Sequence, residues 1–252
     1  MPGKTLICAT ASAALLLCPA PAAASDADDL TARELAERAG DSLADAESAR
    51  LRVADRGADA TGSRTEPTGM DLFLDRDGNC VGTVEMGSNG GSLQIVKRGE
   101  EVWVKPDTAF WTSHLPGGQG EEVAELVKNR YVHASTRDAA LEDTAGMCDL
   151  DSVQEELDSS GLSSDGASMT KGEETTLDGT EVIPLKGEED GRPTTLYVTS
   201  DSPHRLVGAA QRVDGTDRRL TITDYDEPVP SQTPSADETV DIEKIEEKLL
   251  GG

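Results

Sequence analysis

Aromatic side chains and histidine are scarce in this 252-residue chain, which has two Trp, two Phe, three Tyr and three His. Carbohydrate-binding platforms are built from stacked aromatic rings, so this composition argues against such a surface. Most enzyme pockets use histidine for proton transfer and aromatic rings for substrate packing. The sequence therefore predicts a protein that is not an enzyme, with no catalytic residue and no cofactor.

Positive charge is also in short supply, because 23 Lys and Arg stand against 49 Asp and Glu, for a formal net charge of -26. Such a field repels the phosphates of nucleic acids and anionic membrane surfaces. We therefore expect no nucleic-acid partner, and contact with a membrane only through an N-terminal lipid anchor. Solubility in a salty extracytoplasmic space explains the acidity better than a set of calcium sites does.

Residues 1–24 have the pattern of a secretory signal peptide. A basic start that includes Lys4 leads into an apolar run over residues 5–17, and a small-residue tail ends at Ala24. The run is shorter than the about 20 apolar residues that span a bilayer, and no later run comes close. We expect an exported protein, secreted or in the extracytoplasmic cell envelope, whose mature part is a single domain over residues 25–252.

Cysteine is limited to four residues, and Cys8 and Cys18 belong to the leader or its edge. Cys80 and Cys148 are then alone in an oxidising compartment, where two thiols in one domain usually pair. We expect a structural disulfide between them, because the sequence has no C-x-x-C spacing of the kind that redox pairs use. Closing a loop of this length stabilises the fold by about 4 kcal/mol in the chain-entropy model.

Two sheet-forming regions flank a helical one. Thr31 and Glu34 have capping-box spacing and predict a helix that runs to about Ala49. Period-two or short apolar runs predict strands, which are residues 70–74, 80–86, 93–96, 102–104, 174–177, 180–185, 194–198, 205–212 and 218–225. Apolar residues at helical spacing predict two or three helices inserted at about 106–157, which we expect to cover the second face of the sheet. A short C-terminal helix is expected at about 238–250.

No reactive constellation is visible in the sequence. The three histidines are scattered without H-x-x-x-H or H-E-x-x-H pairing, so no metal site is predicted. The Asp-rich segment 75–79 does not fit a calcium loop, because Phe73 and Val84 would occupy two ligand positions, and a hairpin turn is the better interpretation. There is also no G-x-S-x-G or Ser-x-x-Lys motif of a serine enzyme.

Several short motifs resemble one family of proteins. They are Val102-Trp103-Val104-Lys105-Pro106 leading to Ala109-Phe110-Trp111, then Leu196-Tyr197-Val198, Ser202-Pro203-His204-Arg205-Leu206 and Ile222-Thr223-Asp224-Tyr225. In these motifs and in element order the chain resembles actinobacterial envelope lipoproteins of the lipid-carrier (LppX/LprG-like) kind, with their LolA-type half-barrel fold. The resemblance implies an α+β single domain in which a strongly curved antiparallel sheet, a half-barrel, wraps around inserted helices.

The chain departs from this family at Cys18. A lipoprotein has a small residue directly before the acylated cysteine, whereas Leu17 precedes Cys18 and Pro19 follows it. Lipidation of Cys18 is therefore less favoured than cleavage after Ala24, which leaves a secreted or loosely retained protein.

The resemblance implies a cavity that holds a lipid or another hydrophobic small molecule, which the protein carries or senses. The residues expected to line this cavity or the core are Leu72, Leu74, Val84, Ile95, Val102, Val104, Leu196, Val198, Leu220 and Ile222. Periodicity does not separate a hollow interior from a filled one. The alternative is an envelope interaction or regulatory module with a filled core, which binds an envelope protein partner through its acidic surface.

Overall fold

The computed structural model describes residues 27–56, 63–138, 141–159, 169–189, 191–213 and 215–250. The predicted leader, Cys18 and most of the Ser- and Gly-rich segment 159–168 lie outside the described residues. The strands are β1 (Ser48–Arg56), β2 (Pro67–Asp75), β3 (Cys80–Met86), β4 (Ser92–Arg98), β5 (Glu101–Pro106), β6 (Tyr131–Ser135), β7 (Thr170–Lys171), β8 (Thr175–Leu177), β9 (Thr180–Glu189), β10 (Arg192–Thr199), β11 (Leu206–Val213), β12 (Thr216–Thr223) and β13 (Thr239–Asp241). The helices are α1 (Ala32–Ala44), α2 (Thr108–His114), α3 (Gln119–Val127), α4 (Glu142–Gly146), α5 (Leu150–Ser159) and α6 (Ile242–Leu250).

All these strands belong to one sheet, in the order β13-β6-β5-β4-β3-β2-β1-β12-β11-β10-β9-β7, with β8 also paired to β9. Each pairing in the described chain is antiparallel apart from that of β13 with β6. Two meanders, β2 to β5 and β9 to β12, meet at β1, which pairs with β2 on one side and β12 on the other. The expected α+β single domain is confirmed.

The sheet is not strongly curled, so the strongly curved half-barrel expected from the sequence is wrong in that respect. A sheet bends sharply where β-bulges or glycine kinks interrupt the strand register. Among the described strands the register shifts at two places, between Pro67 and Gly69 in β2 and between Tyr197 and Val198 in β10. The remaining pairs run in continuous register, which keeps the sheet comparatively open.

The sheet has two faces, which we name by neighbouring residues of β2: the inner face bears Leu72 and the outer face bears Phe73. The helices lie on the inner face and share one hydrophobic core with it. Their fully buried contributions include Leu35 and Leu43 from α1, Val123 from α3 and Leu150 from α5.

Helix α1 begins with the predicted capping box. Thr31 Oγ1 accepts a hydrogen bond from the Glu34 N–H (3.2 Å), while Glu34 Oε2 accepts one from the Thr31 N–H (2.8 Å). The Thr31 backbone bond is the main reason that the pKa of Glu34 lies below its usual range. The helix ends at Ala44 and not at Ala49, because residues 48–56 form β1, with hydrogen-bonded neighbours on both sides.

The predicted helical insertion between the meanders is present, but it contains an additional strand. Helix α3 ends at Val127 because Lys128 and Asn129 both adopt positive φ values, 50° and 59°. Tyr131, which lies inside the segment predicted to be helical, instead begins β6. Beyond it, α5 is capped by Asp149, whose Oδ1 accepts from the N–H groups of Asp151 (3.1 Å) and Ser152 (3.2 Å).

The outer face is crossed by the C-terminal tail and not by the helices. Residues 226–238 connect β12 to β13, which lies on the far side of six intervening strands. Along this path the Asp226 N–H donates to Ser48 O (2.9 Å), and the Arg98 guanidinium donates to Pro230 O. Val96, on the outer face of β4, is buried. The expected helix at about 238–250 begins only at Ile242, because Thr239–Asp241 pair with β6 as β13.

The Asp-rich segment 75–79 is a hairpin turn, as predicted. Asp75 Oδ1 accepts from the Asn79 N–H (2.8 Å), and Asp75 Oδ2 accepts from Asn79 Nδ2 (2.9 Å). Gly78 has a φ of 74°, which glycine adopts without steric cost. This network joins β2 and β3 in the register that places Leu74 opposite Cys80.

Candidate functional site

The inner face carries an apolar row that runs across eight neighbouring strands. Residues paired directly across a sheet point to the same face, so an unbroken chain of pairs fixes their common orientation. The row is Ile222, Leu51, Leu72, Gly82, Ile95, Val104, Val132 and Val240. Gly82 has no side chain, and a Cβ there would lie 2.0 Å from Asp71 O and 2.8 Å from Leu72 Cδ2, so glycine permits the close approach of the β2 backbone and of Leu72.

The register places all ten residues expected from the sequence on this inner face. Nine of them are buried to 4% exposure or less, and Leu220 is partly buried against the same core. The pair Leu196 with Leu185 extends the apolar surface beyond β12 to β10 and β9, and the pair Leu74 with Cys80 widens it along β2 and β3. Whether a given side chain lines a cavity or fills the core stays a prediction.

Other buried residues of the inner face were not among those ten. Leu51 lies on β1, most of which was given no predicted element, Val132 lies on β6, inside the segment predicted to be helical, and Ile183 lies on β9. The alternation Leu51-Arg52-Val53 was a usable signal for β1, since apolar and charged residues alternate there. Val132 and Ala134 show the same period in β6, but over only five residues.

A disulfide links the helical segment to the inner face of the sheet. Cys80, the first residue of β3, is bonded to Cys148, which precedes α5, with 5.5 Å between their Cα atoms. Both residues are fully buried, and the predicted pairing is confirmed. On the same face Lys97 Nζ donates to Gly78 O (2.6 Å), and burial lowers the pKa of this lysine.

Four buried side-chain nitrogen atoms have no hydrogen-bond partner in the described part of the chain: Arg98 Nε, Trp111 Nε1, His204 Nε2 and Arg205 Nε. His204 Nδ1 lies 3.2 Å from Thr199 O, and because a carbonyl only accepts, Nδ1 carries the proton. In the neutral ring Nε2 is then an acceptor, whereas Trp111 Nε1 is a donor. A bound molecule with a hydroxyl or a carbonyl could satisfy one or the other.

Three polar clefts lie along the end of the sheet where β10 meets β11. The largest, about 480 Å³, is lined by Glu181, Thr199 and Asp201 among others. It shares Pro203 and Arg205 with a second cleft of about 350 Å³. The third, about 230 Å³, is bordered mostly by acidic residues, which are Glu47, Asp75, Asp77, Asp226 and Glu227. These surfaces suit a charged partner better than an acyl chain.

Between the second and third clefts, Arg205 and Tyr225 are in contact with each other. The Arg205 guanidinium lies 4.9 Å from the Tyr225 ring centroid and pairs with Asp226 over 2.9 Å. The Tyr225 hydroxyl donates to Leu206 O (2.5 Å), and burial raises the pKa of this tyrosine.

The described residues contain no group of three or more His, Cys, Asp or Glu side chains arranged to hold a metal ion. His133 contacts two carboxylates, Glu101 through Nε2 and Asp241 through Nδ1 (3.4 Å). These contacts are at opposite nitrogens of the ring, so they cannot converge on one cation. Within the same residues, no helix is both long enough and apolar enough to cross a membrane.

Comparison with known proteins identifies the fold. No family model matches the sequence, and no curated protein matches it. Among solved structures, LprF from Mycobacterium bovis superposes with a TM-score of 0.55 at 14% identity, covering 81% of this chain and 97% of LprF. The Mycobacterium tuberculosis lipoprotein LppX gives a TM-score of 0.49 at 14% identity over 80% of this chain and 98% of LppX. At this identity the similarity to LprF establishes a shared fold, and the activity of the chain has to be argued from its own residues.

Proposed function

We propose that this chain is an exported, non-enzymatic binding protein that holds a hydrophobic, lipid-like ligand between the inner face and the helices. The observation that supports this most directly is the apolar row across eight strands, which continues without a charged residue from Ile222 to Val240. The chain shares its fold with LprF, and its short motifs resemble those of envelope lipoproteins. In this proposal residues 1–24 are removed on export, and the alternative is cleavage before Cys18, which makes Cys18 the site of a lipid anchor.

The unpartnered Trp111 Nε1 and His204 Nε2 add a chemical preference to this proposal. A buried polar atom without a partner costs free energy, about 1 to 3 kcal/mol, which a ligand could recover by pairing with it. The expected ligand is therefore an acyl chain with at least one oxygen function, and not a pure hydrocarbon.

Native mass spectrometry of the purified protein tests the proposal. We expect a population with extra mass that organic extraction removes and that the extract identifies as lipid. Ile95→Phe adds volume on the inner face and should reduce this population. Gln94→Phe is the matched control, because Gln94 is the exposed neighbour on the outer face. A protein that never retains or acquires lipid, with both variants folded by circular dichroism, would contradict the proposal.

A second candidate function is supported by the clefts at the end of the sheet. There the chain would act as an envelope interaction module with a filled core, and the acidic cleft around Asp75 and Glu227 would receive a positively charged segment of a partner protein. Binding of this kind weakens steeply with added salt, because exposed charges are screened. A partner captured equally well at low and high salt, together with lipid in the native mass spectrum, would exclude this candidate.

A further inference from the structure

The outer face of β1, β11 and β12 is lined with arginines although the chain as a whole is strongly acidic. Alternation along β1 places Leu51 and Val53 on the inner face and the intervening residues on the outer face. Register pairs Ala54 with Arg219, and it pairs Asp217 with both Arg56 and Arg212. We name the resulting surface the arginine face, which consists of Arg50, Arg52, Arg56, Arg212 and Arg219.

Each aspartate within this surface is placed between two arginines. Asp71 accepts paired hydrogen bonds from Arg50 (2.7 and 3.0 Å) and from Arg52 (3.1 and 2.8 Å). Asp217 accepts two from Arg212 (2.7 and 3.1 Å) and lies opposite Arg56. The aspartates thus hold the guanidinium groups in fixed positions and neutralise only part of their charge.

The balance of charge on this face is the reverse of that of the whole chain. Asp224 lies 3.9 Å from Arg50, and the Glu85 carboxylate lies over Gly69, the partner of Ala54. Even with both included, five arginines stand against four acidic residues, whereas the chain has 23 basic and 49 acidic residues. Arg219 is exposed and makes no hydrogen bond or ion pair within the described residues. Its nearest influence is electrostatic, on Asp217.

The arginine face is open, extended and comparatively flat. The side chains of Arg52 and Arg212 are 55% and 68% exposed. Three strands spaced by about 4.8 Å, with about 20 Å between Arg50 and Arg56 along β1, give it the dimensions of several lipid headgroups. The C-terminal tail crosses β1 at Ser48, beyond the end of this surface.

Close to the arginine face, the local charge can outweigh the net charge of the chain. At physiological ionic strength the Debye length is about 8 Å, so acidic residues on other faces are largely screened from an object that touches this one. The expectation that the chain avoids anionic membranes follows from its net charge, and it does not hold for this face taken alone. A planar array of anions matches a planar array of guanidinium groups, which bind phosphate through paired hydrogen bonds.

We propose that the arginine face docks the protein on a membrane surface that carries anionic phospholipid headgroups. This inference rests on the proposed function, because a carrier of lipid-like ligands has to meet a membrane to load or deliver them. Docking by the outer face keeps the inner face and its helices on the side away from the headgroups.

Cosedimentation with vesicles tests this docking. The probes are vesicles of phosphatidylglycerol and phosphatidylcholine in equal parts, and vesicles of phosphatidylcholine alone, with a Cys18→Ser chain that cannot be acylated at Cys18. We expect binding to the anionic vesicles only, lost at high salt. Each arginine near an anionic surface should contribute about fivefold in affinity, so R52Q/R219Q should weaken binding about 25-fold.

The matched control is R33Q/R137Q, which removes the same charge from exposed sites on α1 and after β6. Its affinity for anionic vesicles should stay within about twofold of that of the parent chain, because the charge near the membrane, and not the net charge, determines binding. Equal weakening by both double variants, or equal binding to phosphatidylcholine alone, would overturn the proposal. Tighter binding of soluble polyglutamate than of vesicles through the same arginines would overturn it in favour of an acidic polymer.

Lipid retention separates this inference from the function on which it rests. R52Q/R219Q leaves the inner face untouched, so native mass spectrometry should still detect bound lipid in it. Retained lipid without vesicle binding in the parent chain would reject the docking surface and keep the carrier. Vesicle binding that depends on Arg52 and Arg219 in a chain that never holds lipid would keep the docking surface and reject the carrier.

Discussion

The side-chain amide of Gln154 in α5 donates a hydrogen bond to the carbonyl oxygen of Leu43 in α1 over 2.6 Å. Gln154 is 8% exposed and Leu43 is 3% exposed, so this bond joins two helices inside the core. Leu43 O also accepts from the Ala46 N–H (3.2 Å), at the point where α1 ends and the chain turns toward β1.

Gln154→Leu should lower the free energy of unfolding by about 1 kcal/mol, the usual net value of one internal hydrogen bond. The substitution keeps the volume of the side chain, and Leu43 O retains its bond from Ala46. Urea unfolding followed by circular dichroism measures the loss. Glu155→Leu, at the exposed neighbouring position, should change stability by less than about 0.5 kcal/mol. A loss of equal size in both variants would show that the hydrogen bond is not the cause.

Removal of the disulfide should have a larger effect. Cys80 and Cys148 are 68 residues apart in sequence. Closing a loop of this length restricts the unfolded chain, and C80A/C148A should lose about 4 kcal/mol of stability. Reductant should destabilise the parent chain by a similar amount and leave C80A/C148A unchanged. Two free thiols in unfolded, unreduced protein would contradict the bond.

Much of the sheet could be predicted because its strands alternate clearly. Residues such as Leu72 and Ile95 recur at period two, and alternation placed the ten predicted residues on one face without knowledge of the register. Strand β1 was missed because Leu35, Ala39, Leu43 and Ala46 continue a helical spacing up to its first residue. Pairing with β2 and β12 decides the conformation of residues 48–56, and such pairing cannot be predicted from the local sequence.

The site was predictable only as a face and not as a cavity. The register that joins Leu51 to Ile222 and Val104 to Val132 brings together strands far apart in sequence. The helices were expected to cover the second face of the sheet, because they follow next in the chain. The proline-containing tail provides this cover instead, and nothing in its composition indicates where it lies. Strong curvature came from the family resemblance, and the nearly unbroken register opposes it.

Acid should weaken the link between Asp71 and its arginines. The Arg50 hydrogen bond is the main reason that the pKa of Asp71 lies below its ordinary value of 3.8. A carboxylate with a lowered folded-state pKa stabilises the fold above its unfolded-state pKa, and this contribution disappears as the pH falls through the folded-state value. The stability difference between the parent chain and Asp71→Asn should therefore be full above about pH 5 and shrink below pH 4.

Urea unfolding at a series of pH values measures that difference. Glu246→Gln is the control, since Glu246 is exposed on α6 and its removal changes the net charge equally. A difference between the parent chain and Asp71→Asn that stays constant from pH 7 to pH 3 would be inconsistent with the ion pairs of Asp71.

Alkaline pH should act through Tyr225. Burial raises the pKa of its hydroxyl above the ordinary value of 10.0, so folding favours the neutral form. The contribution to stability is complete below the unfolded-state pKa and is lost as the pH rises above it toward the folded-state value. At neutral pH, Tyr225→Phe should lower the free energy of unfolding by about 1 kcal/mol, because the hydrogen bond to Leu206 O is lost. As the pH rises above 10, the stability of this variant should fall less than that of the parent chain. Tyr197→Phe, on the outer face, should follow the parent chain at both pH values.

The last prediction concerns the ligand chemistry that the interior favours. Trp111 Nε1 is a buried donor without a partner among the described residues, so an ester carbonyl that reaches it would form a hydrogen bond at little cost. Trp111→Phe keeps an aromatic ring and removes the donor. It should lower the affinity for methyl palmitate about fivefold, the equivalent of about 1 kcal/mol, and leave the affinity for heptadecane unchanged. Trp103→Phe on the outer face should affect neither ligand. Calorimetric titration of both ligands measures these affinities, and an equal loss for ester and hydrocarbon in Trp111→Phe would mean that Trp111 contributes packing and not a hydrogen bond.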